Sequence, residues 1–213
     1  MYKNKPFLIV FEGVEGCGKS YQSQKLLKNL KKNGINSILT REPGGTRSAE
    51  SIRTLILKDY FNKGKEEKFD KYTDTLLYLA ARNEHIKKTL LVLKKNKKIV
   101  FLDRFTDSTY AYQVMANKID KKINFMNQKY ILKGLKPNLT IVLKSNFKSI
   151  YSRLKKRNKS NKFDKLKTSF YKQAQNAFLS LAKKNRNYLV FDSSKNTTDL
   201  EKIILSNFIK KIN

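Results

Sequence analysis

At 213 residues the chain has the length of one compact domain, and a 39% hydrophobic fraction with 13 Phe and 11 Tyr supplies a core that a disordered chain lacks. A net charge of +30 excludes an acidic protein, while one cysteine (Cys17) and one histidine (His85) exclude a disulfide scaffold and a His-rich metal site. No apolar run approaches the roughly 18 residues of a membrane span, and Phe7–Phe11 is too short for a signal-peptide core, so a cytoplasmic protein with no membrane partner is expected.

In chain order, residues 7–12 (Phe-Leu-Ile-Val-Phe-Glu) are a short apolar run with aromatic and β-branched members, which predicts a strand buried on both faces and ended by Gly13. Lys19 to Lys32 places Leu26, Leu27 and Leu30 at helical spacing before an Asn33-Gly34 stop. Residues 36–41 predict a second strand. Leu76, Leu77, Ala80, Ala81, His85, Leu90 and Leu91 predict a long helix around 74–93, and Lys98 to Asp103 a third strand ending in a carboxylate. Two further strands are predicted at 138–143 and 188–191, with helices at about 121–134, 146–156, 165–185 and 197–211. Strands alternating with helices imply an α/β fold of three layers, a five-stranded parallel sheet flanked by helices. In such sheets ligands bind at the carboxyl ends of the strands.

Between the first strand and the first helix, Gly13-Val14-Glu15-Gly16-Cys17-Gly18-Lys19-Ser20 matches the G-x-x-x-x-G-K-[ST] pattern in full. The chemistry needs these residue types. Glycines let backbone N–H groups wrap phosphates, the helix N-terminus adds positive potential, Lys19 reaches the terminal phosphates and the Ser20 hydroxyl can ligand Mg2+. The expected fold is therefore of the P-loop NTPase type, with a nucleoside triphosphate in the loop. Asp103, at the end of the third strand, is expected to support Mg2+, although aspartate there also serves as a helix N-cap. Arg104 is placed to hold an acceptor phosphate. Cys17 reads as a small residue tolerated in a tight loop, and His85 as structural.

Only eight of the 47 basic residues are arginine, and the lysines are spread along the whole chain beside abundant Asn and Ile. That spread fits a compositional bias toward A/T-rich codons better than a nucleic-acid surface, so no specific nucleic-acid partner is expected. The arginines are more informative, because the guanidinium fork suits phosphates and carboxylates. A P-loop alone leaves kinases, GTPases, motor ATPases and helicases open. Gln-directed water activation of the GTPase type is not evident, and a chain of this length has little room for motor domains, which leaves a small kinase whose two anionic substrates are clamped by arginines.

Four ordered motifs carry a resemblance to the thymidylate kinase family over nearly the full length: Phe11-Glu12-Gly13-Val14-Glu15-Gly16 with the P-loop; Arg41-Glu42-Pro43-Gly44-Gly45-Thr46; Leu76-Leu77-Tyr78-Leu79-Ala80-Ala81-Arg82 with His85; and Asp103-Arg104-Phe105-Thr106-Asp107-Ser108-Thr109-Tyr110-Ala111-Tyr112-Gln113. The resemblance implies a single P-loop kinase domain over 1–213 with a short basic lid at about 153–164, acting as a homodimer. It implies transfer of the γ-phosphoryl of ATP to dTMP, giving dTDP and ADP for dTTP synthesis. It places Arg41, Arg53 and Arg104 on the acceptor phosphate, Tyr78 against the thymine ring where the family usually has Phe, Arg82 and Thr109 on the base, and Tyr112 under the deoxyribose. Glu15 and Ser108 join this substrate set. Glu15, standing within the P-loop in place of an arginine, resembles the bacterial branch, in which lid arginines supply the transition-state cation. Arg153 and Arg157 are the candidates, acting with Lys19 and Arg104. Phe163-Asp164-Lys165 stands where an Asp-Arg pair is usual.

Overall fold

A computed structural model of the protein describes residues 6–57, 69–96, 98–156, 166–195 and 198–212. Its centre is a sheet of five parallel strands, β1 (Phe7–Glu12), β2 (Ser37–Arg41), β3 (Ile99–Asp103), β4 (Leu139–Lys144) and β5 (Tyr188–Asp192), in the order β2-β3-β1-β4-β5. The apolar runs of β1, β3 and β4 occupy the three central places and are almost wholly buried, while β5 at one edge is half exposed. This is the burial that continuous hydrophobic strands require.

Alternate side chains feed two cores, one on each face. Ile9, Phe11, Ile99 and Phe101 pack with Leu26 and Leu30 of α1 (Lys19–Lys32), Phe178 of α8 (Thr168–Lys183) and Phe208 of α9 (Thr198–Ile212). Leu8, Val10, Val100 and Leu102 pack on the other side with Ile86, Leu90, Phe105 and Leu132.

The expected five-stranded parallel sheet and helical layers are those of the structure, with strand ends displaced by a residue or so. Two helices lie where none is expected. The first is α2 (Arg47–Leu57), whose interior buries only Ala49 and Ile56, too few to make an apolar period. Its start is set by polar groups: Thr46 Oγ1 accepts the Ala49 N–H at 3.1 Å. The second begins as α5 (Thr106–Ser108) and continues as a π-helical segment, Thr109–Ala116, whose wider winding defeats a search for 3.6-residue periodicity. The helix expected around 74–93 starts earlier, at Lys71, because Asp70 caps it by accepting the Tyr72 N–H at 2.8 Å. This α3 (Lys71–His85) runs through a π-helical turn, Ile86–Leu90, into α4 (Leu91–Lys95). The segment expected at 121–134 is α6 (Lys122–Met126) continued by the π-helical Asn127–Leu132. Of the expected lid, residues 153–156 are described and belong to the end of α7 (Phe147–Lys155) and its cap; Arg157 and Phe163-Asp164-Lys165 lie outside the described residues.

Strand register then assembles the site. Phe11 of β1 pairs with Asp103 of β3, and Asp103 pairs with Arg41 of β2. The glycine loop, the Asp103-Arg104 turn and the Arg41-Glu42 turn therefore leave the sheet side by side at its carboxyl edge, where ligands of open α/β sheets bind.

Candidate active site

A cleft of about 310 Å³ opens over this edge. Lys19, Ser20 and Arg153 line one side; Arg41, Arg53, Tyr78, Arg82, Arg104, Ser108, Thr109 and Tyr112 line the other, with Glu15 and Asp103 between. On the first side, Gly13 takes a φ of 137° in a place where a Cβ would overlap the Leu143 carbonyl oxygen, so only glycine lets the loop turn there. Val14 and Cys17 are buried, and neither lines the cleft. Gly18 caps α1 in the left-handed conformation with no side chain over the helix N-terminus, which leaves that end open to an anion. Lys19 is 6% exposed, and its Nζ donates to Val14 O at 2.8 Å and lies 3.7 Å from Cys17 Sγ.

Ser20 Oγ donates to Asp103 Oδ2 at 2.5 Å. This pair of hard oxygen ligands suits Mg2+, which takes few protein ligands and keeps water and phosphate oxygens for the rest. Among the described residues there is no group of three or more His, Cys, Asp or Glu that could hold a metal ion. Arg153 sits at the outer end of the loop, where it donates to Gly16 O at 3.1 Å and Ser193 O at 2.6 Å. Its guanidinium thus ties the loop to the turn after β5.

The other side is crowded with cations. Arg41 forms a fork on Glu50, at 3.2 and 2.9 Å, and Arg53 donates to Pro43 O at 2.7 Å. Burial, and then the neighbouring Arg41 guanidinium, lower the pKa of Arg53. Two guanidinium groups lining one cleft fit a site for a dianion. Arg104 has a left-handed backbone, φ 71°, and its N–H donates to Phe11 O at 3.0 Å. Its guanidinium donates to Gly13 O at 2.9 Å, Ser108 Oγ at 3.1 Å and Glu15 Oε1 at 2.7 Å, while the Tyr112 hydroxyl donates to Glu15 Oε2 at 2.5 Å. Burial opposes the Arg104 cation, yet Glu15 and the other surrounding acidic groups outweigh it and raise the pKa well above its ordinary value. Burial raises the phenol pKa of both Tyr78 and Tyr112, so both stay neutral.

Two carboxylates given no role in the sequence reading organise this side. Glu42 pairs with Arg82 and His85. Glu12 is fully buried and accepts from Phe105 N at 2.8 Å, Ser108 N at 3.2 Å and Ser108 Oγ at 2.6 Å, which clamps the turn that carries Arg104. Burial and then the charge of Asp107, only partly offset by the Ser108 hydrogen bond, push its carboxyl up from 4.5 to about 7. Such a group supports the folded state in full below about 4.5 and loses that contribution as pH rises through about 7. Replacement Glu12→Gln removes the titration, so the stability of the variant relative to the parent rises between about pH 5 and pH 8, by on the order of 2 to 3 kcal/mol. Denaturant titrations at the two pH values check this; parallel pH dependence of the two proteins contradicts it.

The comparisons with known proteins agree with one another. A family model described as thymidylate kinase matches residues 11–204. The thymidylate kinase of Mycoplasma capricolum is 35% identical over 190 residues, covering 88% of this chain and 87% of its own. That of Ehrlichia ruminantium (strain Gardel) is 36% identical over 206 residues, covering 92% and 95%. Among solved structures, thymidylate kinase from Ehrlichia chaffeensis superposes with a TM-score of 0.72 at 29% identity, over 96% of this chain and 99% of that one.

Proposed function

The chain belongs to the thymidylate kinase family, and on that premise we propose how it phosphorylates dTMP for dTTP synthesis: by direct transfer of the γ-phosphoryl of ATP, giving dTDP and ADP. The observation that carries the mechanism is the register at the sheet edge, which sets Arg41 of β2 and Asp103 of β3 beside the P-loop that follows β1. A donor and an acceptor nucleotide then meet tail to tail across one cleft.

Phosphoryl transfer asks for alignment and charge neutralisation more than for covalent chemistry. The loop amides of residues 13–20 and the Lys19 ammonium hold the triphosphate. Arg41, Arg53 and Arg104 hold the acceptor phosphate in line with it. Ser20 and Asp103 would hold Mg2+, whose contribution is to neutralise phosphate charge. Tyr78 faces the base, Arg82 and Thr109 read its edge, and Tyr112, supported by Glu15, packs under the sugar, where a ribose 2′-hydroxyl is disfavoured. Ser108 steadies Arg104. Arg153 serves from the end of α7, and Arg157 is assigned to the lid by resemblance alone. The reading includes one domain over 1–213, a homodimer, a cytoplasmic location and no specific nucleic-acid partner. Among the described residues no helix is long and apolar enough to cross a membrane.

A panel of dTMP, dUMP, CMP and AMP with ATP in a coupled ADP-release assay tests the assignment. Strong preference for dTMP, with the ribonucleotides poor, is the expected result. Equal rates with CMP or AMP, or ATP hydrolysis stimulated only by DNA or RNA, overturn it.

A further inference from the structure

Behind the base end of the cleft, a buried polar chain runs from Arg82 and Thr109 through Glu42 to His85 and Thr40. Arg82 is 3% exposed, and three of its five N–H groups are taken by the protein. Its Nε donates to Glu42 Oε2 at 2.7 Å, one terminal nitrogen to Thr109 Oγ1 at 2.9 Å, and the other to Phe105 O at 2.9 Å. One N–H on each terminal nitrogen is left for a ligand. The second oxygen of Glu42 meets His85 Nδ1 at 3.0 Å, and His85 Nε2 meets Thr40 Oγ1 at 2.8 Å.

The charges close on themselves. Glu42 and Arg82 form a buried pair, and the His85 imidazole stands behind it, bridging the second Glu42 oxygen through Nδ1 and the Thr40 hydroxyl through Nε2. The ring cannot swing away. It is wholly buried, and a Cβ at Gly45 would overlap its Cδ2 and Nε2 atoms, so the backbone of the Arg41–Thr46 turn is pressed against it. Glu42 is fixed at its other end, its N–H donating to Asp103 O at 3.0 Å.

We propose that His85 is a positioning residue for substrate selection: by holding the Glu42 carboxylate from behind, it sets the plane of the Arg82 guanidinium and so the preference for a pyrimidine with a carbonyl at position 4. Arg82 offers donors only, so it satisfies the carbonyl of thymine and meets the amino group of cytosine donor to donor. The inference rests on the assignment of Arg82 to the base edge, and the test separates the two.

Four variants are compared for KM of dTMP, KM of ATP, and the ratio of kcat/KM for dTMP over dCMP. His85→Phe fills the volume but donates nothing; His85→Asn keeps a donor toward Glu42. In His85→Phe the KM of dTMP rises about tenfold and the dTMP/dCMP ratio falls by a similar factor, with the KM of ATP within about twofold; His85→Asn stays within about threefold of the parent on every measure. Arg82→Lys, which keeps the charge against Glu42 but loses the fork, also loses the dTMP preference. Should the preference survive in Arg82→Lys, the assignment of Arg82 fails. Should it fall there and survive in His85→Phe, or should the KM of ATP rise in parallel, the role of His85 fails. Thr40→Val, which withdraws only the hydroxyl behind the ring, covers the case in which His85→Phe does not fold. An approximately threefold rise in the KM of dTMP with unchanged ATP binding supports the proposal, and no change overturns it.

Discussion

Lys19→Ala loses about 10²- to 10³-fold in kcat, the usual cost of removing one preorganised group from a developing charge, while the fold stays intact. In the structure the ammonium is drawn into the loop by Val14 O at 2.8 Å, so it is already within the cradle proposed for the triphosphate. It therefore needs little reorganisation to meet transferring charge, which is the condition under which an electrostatic contact accelerates chemistry rather than merely tightening binding. No described ion pair depends on it, so thermal denaturation of the variant should follow the parent. A purified variant with a near-normal rate would show that the loop is not a phosphate cradle.

Arg82→Ala has two large effects at once. The guanidinium neutralises Glu42 at 2.7 Å in a site where both side chains are almost wholly buried. Truncation leaves an uncompensated carboxylate, at a cost of about 3 to 5 kcal/mol, enough to lower the melting temperature by roughly 10 °C in a domain of this size. With Arg82 on the acceptor base, as proposed, dTMP binding weakens by about tenfold or more and ATP binding much less. Titration calorimetry at a temperature where the variant is folded reads the two affinities; equal losses count against Arg82 as the base reader. Arg82→Lys recovers much of the stability, since an ammonium still opposes Glu42, without recovering the planar fork.

These effects divide along what local sequence can express. The P-loop, the Arg41 turn and the Asp103-Arg104 turn are legible because each is a contiguous motif between a strand and the next element, and the strand register brings them to one edge. Helix α2 is not legible, since its start depends on the Thr46 hydroxyl and its interior has few apolar positions. The π-helical Thr109–Ala116 hides for a different reason, its period. Glu12 and Glu42 stand inside quoted motifs, yet their work is done across the fold, on Phe105 and Ser108 from β1 and on Arg82 and His85 from the turn after β2. Nothing in their own neighbourhoods announces those partners. Arg153 shows the reverse: its helix is expected from sequence, but its contacts with Gly16 and Ser193 follow only from the packing of α7 beside the loop.

The reaction proposed has one nucleotide hand its terminal phosphoryl directly to the other across the cleft. A single-turnover reaction with γ-labelled ATP and excess dTMP reads this directly. The label should pass to the β-phosphoryl of dTDP, with none on the protein and no inorganic phosphate formed beyond background. Label released as inorganic phosphate whether or not dTMP is present, or retained on the protein, would contradict it.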